Sequence, residues 1–558
     1  MRFRGAAEAA IVVLASIVIA CIFTYPYVIN FSNAGRIDTN DGRWSIWVVS
    51  WVAHALTTDP GSIFRANIFY PHDNALAFSE GNFIGGAIAV PAWLLTRNPY
   101  AAHNFFFIAA FALSSITTYY LVRHLLGDWR AAAIAGILFA YCPFAFARQA
   151  HSQLLMIGFL PWTMLAFHRF IDRVSVARAI ELGVVLWLTG LACAYYGIFA
   201  GGLVALGTVM FAVTRAQWKQ PRYWMMVALA AAVCIGLTAP LFLPYLRMQE
   251  TTGFARPLDG SYSANFAAWL ISSAWAHRWW APYLSGASEV LFPGIMATVL
   301  GIWGAVIWRH KDVAWFYITA AVIAFWTTFG PKAGLYTVFY YTIPVFSFLR
   351  APSRTGIVVT LCLVVLAAPA LLRLIDLRKG PPSRTRFHLR APRFGGQVGG
   401  TGLVFALLFV LAVADTYRAP LRMREAPPLP NVYRTLARLP RGPVIELPFW
   451  SDRIAYHRHA EYMLDSAYHW QPLINGYSDH IPQDFRDNAV PLSGFPSRES
   501  FAILERSEAR YVVAHLNLVD ARTRESLIDR LDREYVNYLR PLEKDGDVWL
   551  YEIIAWPR

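Results

Sequence analysis

Eleven apolar runs, most of them close to 20 residues long, leave this chain few ways to fold. They fall at about 6–30, 103–122, 131–148, 153–171, 176–193, 194–213, 224–245, 290–308, 313–330, 353–375 and 402–416. A helix of about 20 residues crosses a ~30 Å hydrocarbon core. The composition agrees, with 56% hydrophobic and 15% charged residues, where a soluble chain carries about a quarter charged. The expected fold is a polytopic α-helical membrane domain over 1–416. From 417 to 558 the pattern changes to that of a small extracytoplasmic α/β domain.

A twelfth run, 81–96, is short and contains Pro91. If it crosses, every later loop changes side. The count is therefore eleven or twelve. The first run resembles a signal sequence, but so many runs follow that it reads as an uncleaved helix.

The basic residues set the orientation. They cluster at Arg123–Arg130, at Arg169, Arg173 and Arg178, at Arg215, Lys219 and Arg222, at Arg309–Lys311, and over 378–393. All these loops fall on one side when 81–96 does not cross. That side is cytoplasmic and holds the N-terminus. The net charge of +14 is accounted for in this way and does not indicate nucleic acid. The five cysteines lie in apolar runs without a CxxC pair, so neither a disulfide framework nor a zinc site is expected. No cofactor is expected.

The loop 31–80 departs from the rest. It holds Asp38, Asp41, Asp59, Asp73 and Glu80, with His54 and His72. The histidine and acid spacing matches no zinc or calcium pattern. After Asp41 the sequence GRWSIWVVSWVAHAL reads as an amphipathic helix. Trp44, Trp47 and Trp51 share one face, suited to lying on a bilayer. Asp38, Asn40 or Asp41 would cap that helix. A carboxylate here, Asp41 first and Asp38 or Glu80 second, is placed to act as a general base. Arg350 and Arg354 sit where an outer loop re-enters the membrane, and a guanidinium fork matches a lipid phosphate. Lys332 is a further candidate of that kind. His151, beside Arg148 and Gln153 at an outer helix end, is placed to line a substrate cavity but reads first as structural.

In the C-terminal region PVIELPF (443–449) and ARYVVAHL (509–516) read as buried strands, and DVWLYEII (547–554) as a half-buried one. Residues 498–508 and 518–532 read as helices.

The stretches NDGRWSIWVVSWVAHAL, NIFYPHDNALAFSE, TFGPKAGLY, FSFLRAPSRTG, PVIELPFW and YHWQPLINGYSDHIP are similar to a bacterial group of membrane proteins near the GT-C glycosyltransferase superfamily. The resemblance covers most of the chain. It implies a bacterial cytoplasmic-membrane enzyme with a polyprenyl-phosphate-linked sugar donor and an envelope glycan, lipid or protein acceptor on the outer face. It also implies transfer with inversion. An acidic residue of the first outer loop would be the base or would bind the acceptor, which falls on Asp41, then Asp38. The group reads GD at this point, whereas Asn40 precedes Asp41 here. Two other readings remain open on the sequence: a transporter or flippase of a lipid-linked glycan, and a non-catalytic scaffold binding glycan through 468–480.

Overall fold

The computed structural model describes residues 2–253, 256–376 and 401–558, and each of the eleven apolar runs holds a helix. These are α1 (Arg2–Phe23), then, after α2 (Asn40–Thr58) and α3 (Phe83–Thr96) in and beyond the first loop, α4 (Pro99–Leu126), α5 (Trp129–Ala140), α6 (Phe159–Asp172), α7 (Val176–Ala192), α8 (Ala194–Thr214), α9 (Pro221–Thr252), α10 (Ile295–Trp308), α11 (Asp312–Thr328), α12 (Gly356–Ile375) and α13 (Thr401–Thr416). Among the described residues, seven helical segments are long and apolar enough to cross a membrane; α3, α10, α11 and α13 are shorter apolar helices. The chain is a multi-pass membrane protein.

The basic loops gather at one end of the bundle. Arg215 pairs with Asp172 at 3.1 Å and Asp312 at 2.7 Å. His124 meets Asp172 at 2.9 Å, Arg123 meets Glu8 at 2.9 Å, and Arg130 meets Asp376 at 3.1 Å. Five connections are thereby tied into one charged belt. The basic stretch 378–393 lies outside the described residues.

Helix α3 settles the twelfth run. At about 1.5 Å per residue its 14 residues reach only ~21 Å. Asn82, just before it, accepts a hydrogen bond from Ser152 at the start of the α6 segment (2.9 Å). Asn98, just after it, donates to the Ser32 carbonyl beyond α1 (3.0 Å) and caps α4. Both ends lie at the end of the bundle opposite the charged belt, so α3 does not cross.

At that opposite end stands the C-terminal domain. Its sheet has β1 (Val444–Leu447) parallel to β2 (Tyr511–His515), then β3 (Leu539–Asp545) and β4 (Val548–Ile553) in the spatial order β1-β2-β4-β3. The expected strands and the helices Arg498–Arg506 and Ala521–Asp529 are present, and β3 is an additional strand. The first loop joins this domain directly. Leu473 N–H donates to Asn67 O, and Phe69 and Tyr70 N–H donate back to Asn475 O and Leu473 O.

The tryptophan face of α2 does not lie on the bilayer. Trp44, Trp47 and Trp51 are buried in the core of the C-terminal domain. Trp47 Nε1 donates to Asn67 Oδ1 (3.3 Å) and Trp51 Nε1 to the Ile63 carbonyl (2.9 Å). Burial here removes the indoles from water and also gives the Trp47 and Trp51 N–H groups an acceptor. The helix cap is Thr39, whose hydroxyl accepts from Gly42 N–H (3.1 Å). Asp38, Asn40 and Asp41 are therefore not spent on capping.

Inside the domain, Glu446 on β1 is fully buried and accepts from His515 Nε2 on β2 at 2.6 Å. Burial lowers the His515 pKa, and the Glu446 hydrogen bond and charge outweigh it, for a net rise. Burial, then Glu446, pushes the nearby Asp465 carboxyl up to about 8. Both groups bind protons more tightly folded than unfolded. Stability from Asp465 falls as pH rises from its unfolded value toward 8. That from His515 is complete below its unfolded value and is lost as pH passes its raised folded one. The buried His459 and His469, lowered to about 4 and about 3, are neutral in both states above pH 7 and drop out. The full chain in detergent is therefore expected to melt at a lower temperature at pH 8.5 than at pH 7. Asp465→Asn should reduce that slope; an unchanged melting temperature across this range would contradict the assignment.

Candidate active site

A cavity of about 790 Å³ opens where the membrane helices meet the C-terminal domain. Its long wall is apolar, built from α7, α8 and α9 through residues such as Leu182, Leu186, Ile198, Val204, Ile235 and Phe242. Its other end is charged, with Glu80, Arg256, Arg350, Arg354 and Asp479. The cavity is thus amphipathic along its length.

The charged end is assembled from four distant stretches. In FLRAPSRTG, Pro352 starts a 3-10 turn that feeds α12. That turn holds Arg354 at 9% exposure, with its guanidinium 4.4 Å over the Tyr195 ring. Among the described residues Arg354 has no carboxylate at ion-pair distance. Arg350 meets Asp479 at 3.3 Å, and its backbone N–H donates to the Tyr195 hydroxyl at 3.0 Å. Arg256 meets the other oxygen of Asp479 at 3.1 Å, and Ser79 donates to it at 3.1 Å. Burial pushes the Asp479 carboxyl up, and the two arginines with Ser79 outweigh it, so it lies below the usual carboxylate range. The single carboxylate of Asp479 offsets one of the two charges of Arg256 and Arg350, and with Arg354 added the end carries an excess of positive charge.

Glu80 lies in the same wall. It accepts from Ala194 N–H, the first residue of α8, whose own preceding residue Cys193 provides no side-chain cap. Burial pushes its carboxyl up, against the Ala194 N–H and the Arg354 charge. Capping the positive end of α8 is one role it visibly performs. Gln153 also lines the cavity, and its buried Oε1 has no hydrogen-bond partner among the described residues.

Asp41 stands beside this end rather than in the cavity wall. Its Oδ2 is 3.6 Å from His151 Nε2, with half of the Asp41 side chain exposed. Burial pushes the His151 imidazole down to about 4; Asp41 opposes this, and the charges of Arg354, Arg148 and Arg350 reinforce it. His151 is therefore a neutral imidazole that links Asp41 to the arginine end. Asp38 is engaged by Arg36 (2.8 Å), which also donates to Gln149 (3.2 Å). Lys332 is exposed and does not line the cavity.

Of the residues singled out from sequence, the structure thus brings Asp41, Glu80, Arg350 and Arg354 to one place. Asp479 and Arg256 are not among the residues singled out, although Asp479 falls in YHWQPLINGYSDHIP. Their roles depend on the C-terminal domain reaching back to the membrane, which no local pattern encodes. Gln153 lines the cavity, whereas His151 stands outside its wall, 3.6 Å from Asp41.

No family model and no curated protein matches the sequence. Solved structures do. The arabinofuranosyltransferase AftD from Mycobacteria aligns over 98% of this chain and 42% of its own, with 15% identity and a TM-score of 0.55. ArnT from Cupriavidus metallidurans in the apo state aligns over 99% of this chain and 100% of its own, with 14% identity and a TM-score of 0.50. The fold is that of the GT-C glycosyltransferases. The GT-C fold here comprises the helical bundle, the first loop with α2 and α3, and the C-terminal domain above them. The archaeal oligosaccharyltransferase AglB from Archaeoglobus fulgidus, in complex with an inhibitory peptide and a dolichol-phosphate, aligns less closely: 92% of this chain, 70% of its own, 12% identity and a TM-score of 0.47.

Proposed function

We propose that the chain transfers a sugar from a polyprenyl-phosphate carrier to an acceptor hydroxyl at the membrane face bearing the C-terminal domain. The observation that carries this reading is the amphipathic cavity, with apolar walls for an isoprenoid tail and Arg350 and Arg354 for its phosphate. A guanidinium fork suits a phosphate oxygen pair, and the excess charge of Arg354 favours an anion there.

In this reading Asp41 accepts the acceptor's hydroxyl proton as its oxygen attacks the anomeric carbon. The bond between that carbon and the phosphate oxygen breaks on the opposite face. The electron pair leaves with the polyprenyl phosphate, and the configuration inverts. Arg350 and Arg354 stabilise the charge that develops on the leaving phosphate, and holding both reactants at the mouth supplies proximity. The acceptor is an envelope glycan, lipid or protein, and the membrane is the bacterial cytoplasmic membrane. The charged belt with the N-terminus would then be cytoplasmic and the C-terminal domain outside, by the positive-inside rule.

The test is a reconstituted assay. Full-length protein in proteoliposomes is supplied with radiolabelled polyprenyl-phosphate sugars and envelope extract, and release of free polyprenyl phosphate is followed with label in the acceptor. The expected result is coupled appearance of both products. Movement of the labelled lipid between leaflets with no cleavage would replace the transferase by a transporter.

A further inference from the structure

A second charged site stands apart from the cavity, at the same end of the bundle. Trp275 is locked onto the chain that leaves α13. Its backbone N–H donates to the Tyr417 carbonyl (3.0 Å) and its indole Nε1 to the Ala419 carbonyl (2.7 Å). Two guanidiniums stack on this fixed ring, Arg278 at 4.4 Å and Arg418 at 4.3 Å from its centroid. Among the described residues Arg278, Arg418 and Arg422 have no carboxylate at ion-pair distance. Burial, then the charges of Arg422 and Arg278, pull Arg418 below the usual guanidinium range. Two like charges are thus held on a rigid ring with Arg422 near them, and the neighbouring carboxylate, Asp415, is engaged by His277 (2.9 Å) and by the Ile295 and Met296 N–H groups.

The place of this cluster identifies the anion. On α13, Leu403, Leu407, Val410 and Leu411 are exposed, as a lipid-facing helix requires. Arg418 lies two residues past the end of α13 and seven after Leu411, just beyond the apolar stretch, where a headgroup meets a spanning helix. Trp279, 70% exposed beside the cluster, suits the membrane interface. We propose that Trp275, Arg278, Arg418 and Arg422 bind the phosphate of an anionic phospholipid headgroup. The stacked indole orients the two guanidiniums, and their N–H groups meet the phosphate oxygens. This site is independent of the glycosyl-transfer reading.

The test uses full-length protein in nanodiscs of phosphatidylcholine with phosphatidylglycerol, followed by detergent extraction and native mass spectrometry. Wild type should retain phosphatidylglycerol over phosphatidylcholine by about tenfold, equivalent to ~1.4 kcal/mol. R278Q/R418Q should lose that preference, and R278K/R418K should keep most of it. R422Q changes only an exposed side chain and should lower the preference even where the double variant fails to fold. Equal retention of the two lipids by wild type, or unchanged preference in R278Q/R418Q or R422Q, would overturn the site. So would sn-glycerol 3-phosphate binding in detergent as tightly as the lipid, which would assign the cluster to a soluble phosphate.

Discussion

Asp41→Asn is expected to reduce sugar transfer by a factor of about 10² to 10⁴, the usual contribution of a positioned general base, while the melting temperature stays unchanged. The amide has the same shape but cannot take a proton from the acceptor. Little structure depends on the charge, because half of the side chain is exposed and its neighbour at 3.6 Å is the neutral His151 imidazole. Thr39, not Asp41, caps α2. Losing the carboxylate also removes the influence that raises the His151 pKa, so the imidazole stays neutral at pH 7. The cavity wall does not include Asp41, so the affinity for free polyprenyl phosphate should be preserved. The effect therefore belongs in kcat and not in donor binding. Asp38→Asn should be mild by comparison, since its visible work is to hold Arg36. Full activity of Asp41→Asn with normal donor turnover would remove Asp41 from the reaction.

What could be read from sequence depended on the range of the interaction. Each membrane helix is defined by a local run of apolar residues, and all eleven runs hold helices. The two arginines near α12 were also legible, because the turn that positions Arg354 is written locally in APSRT. The tryptophan face of α2 misled, since an apolar stripe reports burial without naming the partner. A bilayer and a protein domain satisfy the same pattern, and the decision lay more than 400 residues away, where Trp470 packs 5.5 Å from Trp51. Asp479 was hidden for the same reason. Its carboxylate matters because the C-terminal domain sets it between Arg350 and Arg256. Helix α3 fell between these cases: its length argued against crossing, and the contacts of Asn82 and Asn98 decided it.

Arg354→Gln is expected to weaken binding of polyprenyl phosphate by roughly ten- to 150-fold, the equivalent of ~1.5–3 kcal/mol for hydrogen bonds to a charged group. Its guanidinium is buried, faces the cavity and has no carboxylate to neutralise it among the described residues, so an incoming phosphate gains its full attraction. Arg350→Gln should cost less, because that arginine already shares its charge with Asp479 and is more exposed. Arg354→Lys should fall between wild type and Arg354→Gln. It keeps the charge but loses the planar fork and its stacking on Tyr195. Lys332→Ala should leave binding unchanged, since Lys332 is exposed and away from the cavity wall. Stability should change little in Arg354→Gln, because the stacking on Tyr195 is lost while a buried cation is removed and no ion-paired carboxylate is orphaned. Competition by undecaprenyl phosphate in the transfer assay, with melting curves on the same samples, measures both quantities. Equal inhibition constants for wild type and Arg354→Gln would place the lipid phosphate elsewhere and leave the arginine end of the cavity to a different anion.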